Sequence, residues 1–210
     1  MATTKGPLFS LDASGTVGGA IVFSHWKGRN VVRRHAVPAN PKSGGQVGVR
    51  SMMKFLAQQW SGLTSAEQTT WDTPADGPNI SPFNAYVSSG MARFGVYDTP
   101  SQEYPVALGD TAGTLLNQAA TAQSRAILLS IDVSVLADNW GILIHRDPIT
   151  AFTPSRQNTI QVIAGLSAAT FTFLDFPLVA GVEQFYRWTP FSEAGEIGAF
   201  ATEASATPTA

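Results

Sequence analysis

The chain has 210 residues, a formal net charge of −2 and no cysteine. This length provides one large domain or two small ones, each with its own hydrophobic core. The absence of cysteine excludes disulfide scaffolds, cysteine-based zinc sites and thiol chemistry.

The chain carries no predicted membrane span or leader. Its longest uncharged run, residues 157–174, contains Gln, Asn, Thr and Ser side chains, which are unsuited to the bilayer core. Residues 1–20 do not have the pattern of a secretory signal. We therefore expect a soluble, unprocessed chain.

Charge is distributed unevenly along the sequence. Residues 1–60 contain eight basic residues and one acidic residue, a balance of +7, whereas residues 61–210 contain five basic and fourteen acidic residues, a balance of −9. The basic end could bind nucleic acid, the acidic part of an identical neighbour or an acidic surface of another protein, or it could be a solvated face. Because the whole chain is not basic, we favour protein contact over nucleic-acid contact.

The first predicted element is a basic N-terminal arm, residues 1–41. Two apolar runs, residues 20–26 and 31–37, flank a glycine-containing turn, which predicts a β-hairpin. An isolated hairpin is marginally stable in water, so we predict that another molecule orders this arm. A tryptophan at the hairpin tip beside cations is typical of an interface hot spot. The predicted interface residues are Trp26, Lys27, Arg29, Arg33, Arg34, Lys42 and Arg50.

A helical unit is predicted over residues 42–97. Its first helix is marked by an apolar stripe at helical spacing and ends at the Ser61-Gly62 pair. Thr64 and Glu67 have the spacing of a capping box, which predicts a second helix over residues 65–71. The apolar stripe of the first helix consists of Val49, Met52, Met53, Leu56 and Trp60.

The third helix of this unit begins at Ser81, an N-cap residue that is followed by Pro82 at the first helical position. The stretch before it, residues 72–79, is predicted to be a loop because it contains proline and glycine. We expect Trp60 and Trp71 to pack together across the turn between the first two helices.

Beyond residue 98 the hydrophobic period changes to two, which predicts strands. Short strands separated by Pro, Gly, Asn and Asp favour a β-sandwich over residues 98–205. The small polar tail, residues 203–210, of which 206–210 lie beyond the sandwich, is predicted to be loose unless a partner holds it. The predicted strands cover residues 126–133, 140–146, 159–163, 169–175, 184–190 and 198–201, after a first strand within residues 98–124.

The segment 184–198 resembles the last two strands of a fibronectin type III domain. In that family an aromatic strand of the Tyr-x-Arg-x type, here within Gln184-Phe185-Tyr186-Arg187-Trp188, precedes an acidic-glycine turn and a closing strand. The resemblance implies that the strand after Trp140 lies in the middle of the sandwich. The predicted fold class is α+β, with an extended N-terminal β-hairpin arm, a short helical unit and a C-terminal immunoglobulin/fibronectin III-like β-sandwich.

The N-terminal half, residues 14–85, resembles a group of small proteins from tailed-phage structural gene clusters. The resemblance implies a structural component of a virion, without distinguishing capsid, neck or tail, and it brings no catalytic residues. The motifs that carry it are, in order, Trp26-Lys27-Gly28 with Val31-Val32-Arg33, then Asn40-Pro41, then Trp60, Leu63-Thr64 and Trp71.

No motif predicts catalysis, a cofactor or a metal site. The histidines His25 and His35 lie in a region with scarce carboxylates, which disfavours a transition-metal site. The run His145-Arg146-Asp147 lacks the other kinase elements and is predicted to be a strand end with a surface ion pair. The acidic residues Asp132, Asp138 and Asp147 do not have EF-hand spacing.

We therefore predict a non-enzymatic virion structural protein of a tailed bacteriophage, a capsid decoration or cement protein that anchors through its basic arm. Its predicted partners are other virion proteins, capsid or neck and tail subunits, in an oligomeric assembly, and neither a membrane nor nucleic acid. One alternative is a neck or tail component. Another is a carbohydrate or host-surface binding module, which would need exposed aromatic residues on one sandwich face. The candidates for that row are Phe171, Phe173, Phe185 and Trp188.

Overall fold

The computed structural model of the chain divides into two compact units, Met1–Pro41 and Lys42–Ala210. All side chains that are buried, among those the structure describes, lie in the second unit. The described residues are 3–4, 13–26, 29–37, 43–107, 112–113, 115–132, 140–164 and 170–210.

The first unit contains an antiparallel sheet in the order β1-β2-β3-β4. The predicted hairpin is confirmed as β3 and β4, and two strands that precede it in the chain extend it into a sheet. The turn between β2 and β3 contains Gly18 and Gly19 at φ +57° and +67°, a region that glycine adopts without steric cost. The strands are β1 (Thr3–Thr4), β2 (Ala13–Val17), β3 (Ile21–Trp26) and β4 (Arg29–Arg34).

Two helices of the second unit begin where local capping signals predicted. In the capping box, Thr64 accepts a hydrogen bond from the Glu67 backbone and the Glu67 carboxylate accepts one from the Thr64 backbone. Ser81 caps the last helix by accepting a bond from Asn84 N at 3.2 Å. The helices are α1 (Gly44–Gln59), α2 (Ser65–Thr70), α3 (Asp72–Asp76) and α4 (Pro82–Gly95), with a 3-10 turn at Trp60–Gly62.

Two predictions about this region need correction. The stretch after residue 71, predicted as a loop, contains α3. Burial of Ala75 in the core stabilises this helical turn. Trp60 and Trp71 were expected to pack together, but each packs against Tyr86, whose ring centroid lies 5.4 Å from each of the two indoles.

The remaining strands form two antiparallel sheets, in the orders β11-β10-β7-β8 and β5-β6-β9. Both sheets contribute to one hydrophobic core, so they face each other as a sandwich. The strand after Trp140 is flanked by two others, as predicted for the middle of a sheet. The strands are β5 (Leu116–Gln123), β6 (Ala126–Asp132), β7 (Gly141–Asp147), β8 (Thr159–Ala164), β9 (Thr170–Asp175), β10 (Gln184–Phe191) and β11 (Ala204–Ala206).

The C-terminal end of the chain differs from the prediction. The segment predicted as the last strand, residues 198–201, is not a strand, and β11 pairs with the start of β10 instead. The tail predicted to be loose is bound: Thr209 N donates to Gln123 O at 2.9 Å and Thr209 O accepts from Arg125 N at 2.9 Å. The tail is ordered because the sandwich leaves backbone groups at this edge that it satisfies.

The helices and the sandwich, which the sequence predicted as separate regions 42–97 and 98–205, belong to one compact unit. Phe55 of α1 contacts Trp140 and Phe191 edge to face, with ring centroids 4.9 and 5.4 Å away. Gly48 lets α1 approach β8 closely, since a Cβ there would lie 2.8 Å from Thr159 O. Phe55 of α1 is therefore buried against the sheet.

Candidate interaction surface

The sheet of the first unit has two chemically different faces. Cross-strand partners share a face, and neighbours along a strand alternate. The register pairs Val17 with Ile21, Ile21 with Arg34 and Phe23 with Val32, which places these five side chains on one face. The opposite face carries Thr16, Val22, Ser24, Val31 and Arg33.

The first of these faces is apolar and unburied. Val17, Ile21 and Val32 are 40%, 43% and 59% exposed, and Phe23 is partly exposed. None of the described side chains of this unit, residues 15–24 and 31–37, is buried. A contiguous apolar sheet face that remains exposed to water is typical of a protein interaction site. We refer to Val17, Ile21, Phe23, Val32 and Arg34 as the apolar face.

The predicted interface residues are distributed over both units. Trp26 and Arg29 are cross-strand partners at the end of the β3–β4 hairpin. Arg33 and Arg34 are both exposed and project from opposite faces of β4, because they are adjacent in a strand. Arg50 is exposed on α1 and belongs to the second unit. Lys27 and Lys42 lie outside the described residues.

The sequence interpretation selected cations and a tryptophan, and it did not select Val17, Ile21, Phe23 or Val32. The alternation of Ile21 and Phe23 along β3 is a signal for a common face. It identifies the face only after the cross-strand register is known, since a slip of one residue would reverse the faces.

The run His145-Arg146-Asp147 ends a strand, as predicted, but His145 is a core residue. Its side chain is fully buried. Thr159 Oγ1 donates to Ser155 O at 2.8 Å, so it accepts from His145 Nδ1 at 3.1 Å. His145 Nε2 is then an acceptor, and the hydroxyls of Thr189 and Tyr97 lie 3.1 and 3.3 Å from it. Burial lowers the pKa of His145 to about 3, so the ring is a neutral structural group at pH 7.

The ion pair predicted within the His145-Arg146-Asp147 run joins different residues. Arg146 Nη1 contacts both carboxylate oxygens of Asp175, at 2.9 and 2.8 Å. Asp147 accepts a bond from Ile149 N at 3.0 Å and ends its strand. Arg146 reaches Asp175 because β7 and β9 belong to opposing sheets, which only the folded sandwich brings together.

The described part of the chain contains no group of three or more His, Asp or Glu side chains arranged to hold a metal ion. Asp138, one of the acidic residues considered for calcium, lies outside that part. In the same residues, no helix combines the length and apolar character that a bilayer crossing requires.

A cavity of about 200 Å³ lies in the second unit and has an acidic lining. Glu67, Glu103 and Glu193 contribute carboxylates, and Ala107 and Ala194 contribute apolar surface. Three local structures meet here: the capping box of α2, the segment after residue 100 and the turn that follows β10. A bond of 3.0 Å from Gln102 N to Glu193 O joins the last two.

The carboxylates of this acidic cavity differ in their partners. Glu67 is engaged by the Thr64 backbone in the capping box. Glu103 and Glu193 are exposed, and no described residue forms an ion pair or hydrogen bond with either carboxylate. Arg93, which reaches this turn by donating to Gly195 O at 2.8 Å, is already paired with Asp98 at 3.0 Å. The cavity therefore keeps a net negative character.

The aromatic row considered for glycan binding is not assembled on the sandwich surface. Trp188 is 1% exposed and belongs to the core between the sheets. Phe171 and Phe173 are half-buried and pack against the same core. Phe185 is half-buried at the start of β10. Strand alternation directs Phe171, Phe173 and Trp188 inward, whereas Phe185 projects from the opposite face of β10 to Trp188.

No protein-family model matches the chain, and no curated protein does either. Among the solved structures that are similar to it, three each cover about half of this chain. The crystal structure of a β-1,2-glucanase from Parabacteroides distasonis has 18% identity and a TM-score of 0.38, with 49% of this chain and 13% of that chain covered. This chain thus spans only a small part of the glucanase.

Two fibronectin type III-like structures are also similar. An Fn3-like protein from Clostridium thermocellum has 15% identity and a TM-score of 0.36, covering 48% of this chain and 96% of that chain. The sixth fibronectin type III domain of human fibronectin type III domain containing protein 3 has 11% identity and a TM-score of 0.33, covering 50% and 92%. At such low TM-scores these similarities carry no argument about function.

Proposed function

We propose that this chain is a non-enzymatic virion structural protein of a tailed bacteriophage that decorates or cements the capsid. Its N-terminal sheet anchors it to neighbouring virion proteins, and the second unit, with a fibronectin type III-like sandwich, forms its compact body. The ordered N-terminal motifs, from Trp26-Lys27-Gly28 to Trp71, support the assignment to a virion.

The observation that carries the anchoring role is the unburied apolar face. Val17, Ile21 and Val32 expose 40–59% of their surface, although burying such side chains is favourable by about 25 cal/mol per Å² of apolar surface. A partner that covers this face gains that energy and supports a sheet of which none of the described side chains is buried. Arg34 on the same face adds a cation of the type that is enriched at protein interfaces.

The second unit fits the role of a body because it contains its own hydrophobic core. All described buried side chains lie in it, including the aromatic cluster around Phe55, Trp140 and Phe191. Such a division between an anchor and a folded body suits a protein that is added to a preformed particle.

The test uses particles of the encoding phage that lack this protein, to which purified protein is added. The double variant Ile21→Thr with Val32→Thr keeps β-branched residues but removes apolar surface from the apolar face. The matched control, Val22→Thr with Val31→Thr, makes the same kind of change in the same strands on the opposite face. Bound protein is quantified after sedimentation of the particles.

We expect the wild type and the control to bind in hundreds of copies per particle, and the apolar-face variant to bind at least about tenfold more weakly. A count of six or twelve copies per particle would indicate a neck or tail position instead of capsid decoration. Absence of wild-type binding, or equal binding of both variants, would overturn the anchoring role.

A further inference from the structure

The two compact units carry opposite charge. Met1–Pro41 contains five basic residues and one acidic residue, whereas Lys42–Ala210 contains eight basic and fourteen acidic residues. Their formal charges of +4 and −6 attract when the first unit of one molecule meets the second unit of another. This charge complementarity indicates which molecule covers the apolar face. The inference therefore rests on the proposed anchoring function.

Symmetric pairing of two N-terminal sheets is disfavoured. β4 is the edge strand of its sheet, so two copies could in principle join β4 to β4. With the two strands fully overlapped and antiparallel, Arg34 of each chain would lie opposite Arg29 of the other. Like charges facing each other across strands are destabilising. The favoured partner surface is therefore acidic and different from the sheet itself.

The acidic cavity of the second unit has the complementary chemistry. Its volume of about 200 Å³ is below the range of about 300–1,000 Å³ that is usual for small-molecule sites, and suits a single side chain. Glu103 and Glu193 offer carboxylates without a described ion-pair partner, and Ala107 and Ala194 offer apolar surface. A guanidinium binds carboxylates with paired, charge-assisted hydrogen bonds.

Arg34 is placed to supply that guanidinium. It is exposed, and its cross-strand partner is Ile21, so it projects from the same face as the exposed valines. We infer that the apolar face of one molecule docks on the second unit of another copy, with Arg34 entering the acidic cavity between Glu103 and Glu193. The contact is heterologous, so it joins successive copies head to tail into a ring or an open chain.

The test measures self-association of the full chain by sedimentation velocity at low and high salt. The wild type is expected to associate at low salt and to weaken at high salt. Arg34→Glu, and separately the double variant Glu103→Lys with Glu193→Lys, are each expected to weaken association at least about tenfold. Arg33→Glu is the matched control: it makes the same charge change one residue away, on the opposite face.

The decisive measurement mixes the two charge-reversed proteins. The double Glu→Lys variant keeps Arg34, and the Arg34→Glu variant keeps the carboxylates of Glu103 and Glu193. The mixture is therefore expected to associate although neither protein does so alone. A monomeric wild type, equal effects of Arg33→Glu and Arg34→Glu, or a mixture that does not associate would overturn this inference. The inference would also be overturned if the wild type did not self-associate but bound duplex DNA in a salt-sensitive way that Arg34→Glu abolished.

The particle-binding experiment separates this failure from failure of the proposed function. If the chain does not self-associate, yet Ile21→Thr with Val32→Thr still abolishes particle binding, only the identity of the partner is overturned. If the chain does not self-associate and the variant Ile21→Thr with Val32→Thr also binds particles as the wild type does, the proposed anchoring role is overturned as well.

Discussion

The Tyr186 hydroxyl donates a hydrogen bond to Asp175 Oδ2 at 2.9 Å, and this contact joins β10 of one sheet to the end of β9 in the other. Arg146 contacts the same carboxylate from β7. Asp175 is 7% exposed, so its charge is stabilised by these two partners in place of water. The three side chains form a clamp between the sheets.

The clamp predicts a specific cost for removing one hydroxyl. Tyr186→Phe is expected to lower the free energy of unfolding by about 1.5–3 kcal/mol, because a hydrogen bond to a charged, buried acceptor is lost. Urea unfolding followed by tryptophan fluorescence measures the change. Tyr104→Phe, at a side chain that is 42% exposed, is the control and is expected to change stability by less than about 0.5 kcal/mol. Equal effects of both variants would contradict the clamp.

The buried histidine predicts a dependence of stability on acid. His145 has a pKa of about 3 when folded and an ordinary value of 6.5 when unfolded, so the unfolded chain binds the proton more readily. Its stabilising contribution is complete above pH 6.5 and is lost as the pH falls from 6.5 towards 3, with a slope of about 1.4 kcal/mol per pH unit.

Comparison of the wild type with His145→Gln isolates this contribution, since the carboxylates common to both proteins titrate alike. The free energy of unfolding is measured by urea titration between pH 4 and pH 8. We expect the wild-type curve to fall more steeply below pH 6.5 than that of the variant. Parallel curves would show that protonation of His145 is not coupled to folding.

Two glycines of α1 predict opposite effects of the same substitution. A Cβ at Gly48 would lie 2.8 Å from Thr159 O and 3.2 Å from Arg156 O, so Gly48→Ala forces α1 away from β8. We expect a loss of about 1–3 kcal/mol. Gly45 has nothing within 4 Å of the same position, so Gly45→Ala is expected to stabilise the helix by about 0.5–1 kcal/mol. Thermal unfolding of both variants measures the difference, and changes of the same sign would contradict close packing of α1.

The C-terminal strand predicts that a short deletion is costly. Removing residues 204–210 eliminates β11 and the bonds of Thr209 to Gln123 and Arg125. We expect the free energy of unfolding to fall by about 3 kcal/mol, the net value of a few backbone hydrogen bonds. Thr207→Ala, at an exposed position of the same segment, is the control and is expected to be neutral. If the deletion changed the free energy of unfolding no more than this control does, the tail would be loose, as its composition suggests.

Local sequence was sufficient for the elements whose signals lie within a few residues of each other. The capping box of Thr64 and Glu67, the cap at Ser81 and the β3–β4 hairpin all followed from neighbours in the chain. Such signals act through backbone groups three or four residues away, so they are readable without knowledge of the rest of the fold. Alternating apolar residues likewise indicated most strands of the sandwich.

The tertiary structure alone decided which distant residues meet. Arg146 pairs with Asp175 and not with its neighbour Asp147, and Gln102 is bonded to Glu193, because opposing sheets and loops converge in space. The apolar face and the acidic cavity arise in the same way, from cross-strand register and from three separate segments. Neither has a local signature, since hydrophobic period and capping report the conformation of a segment but not its partners.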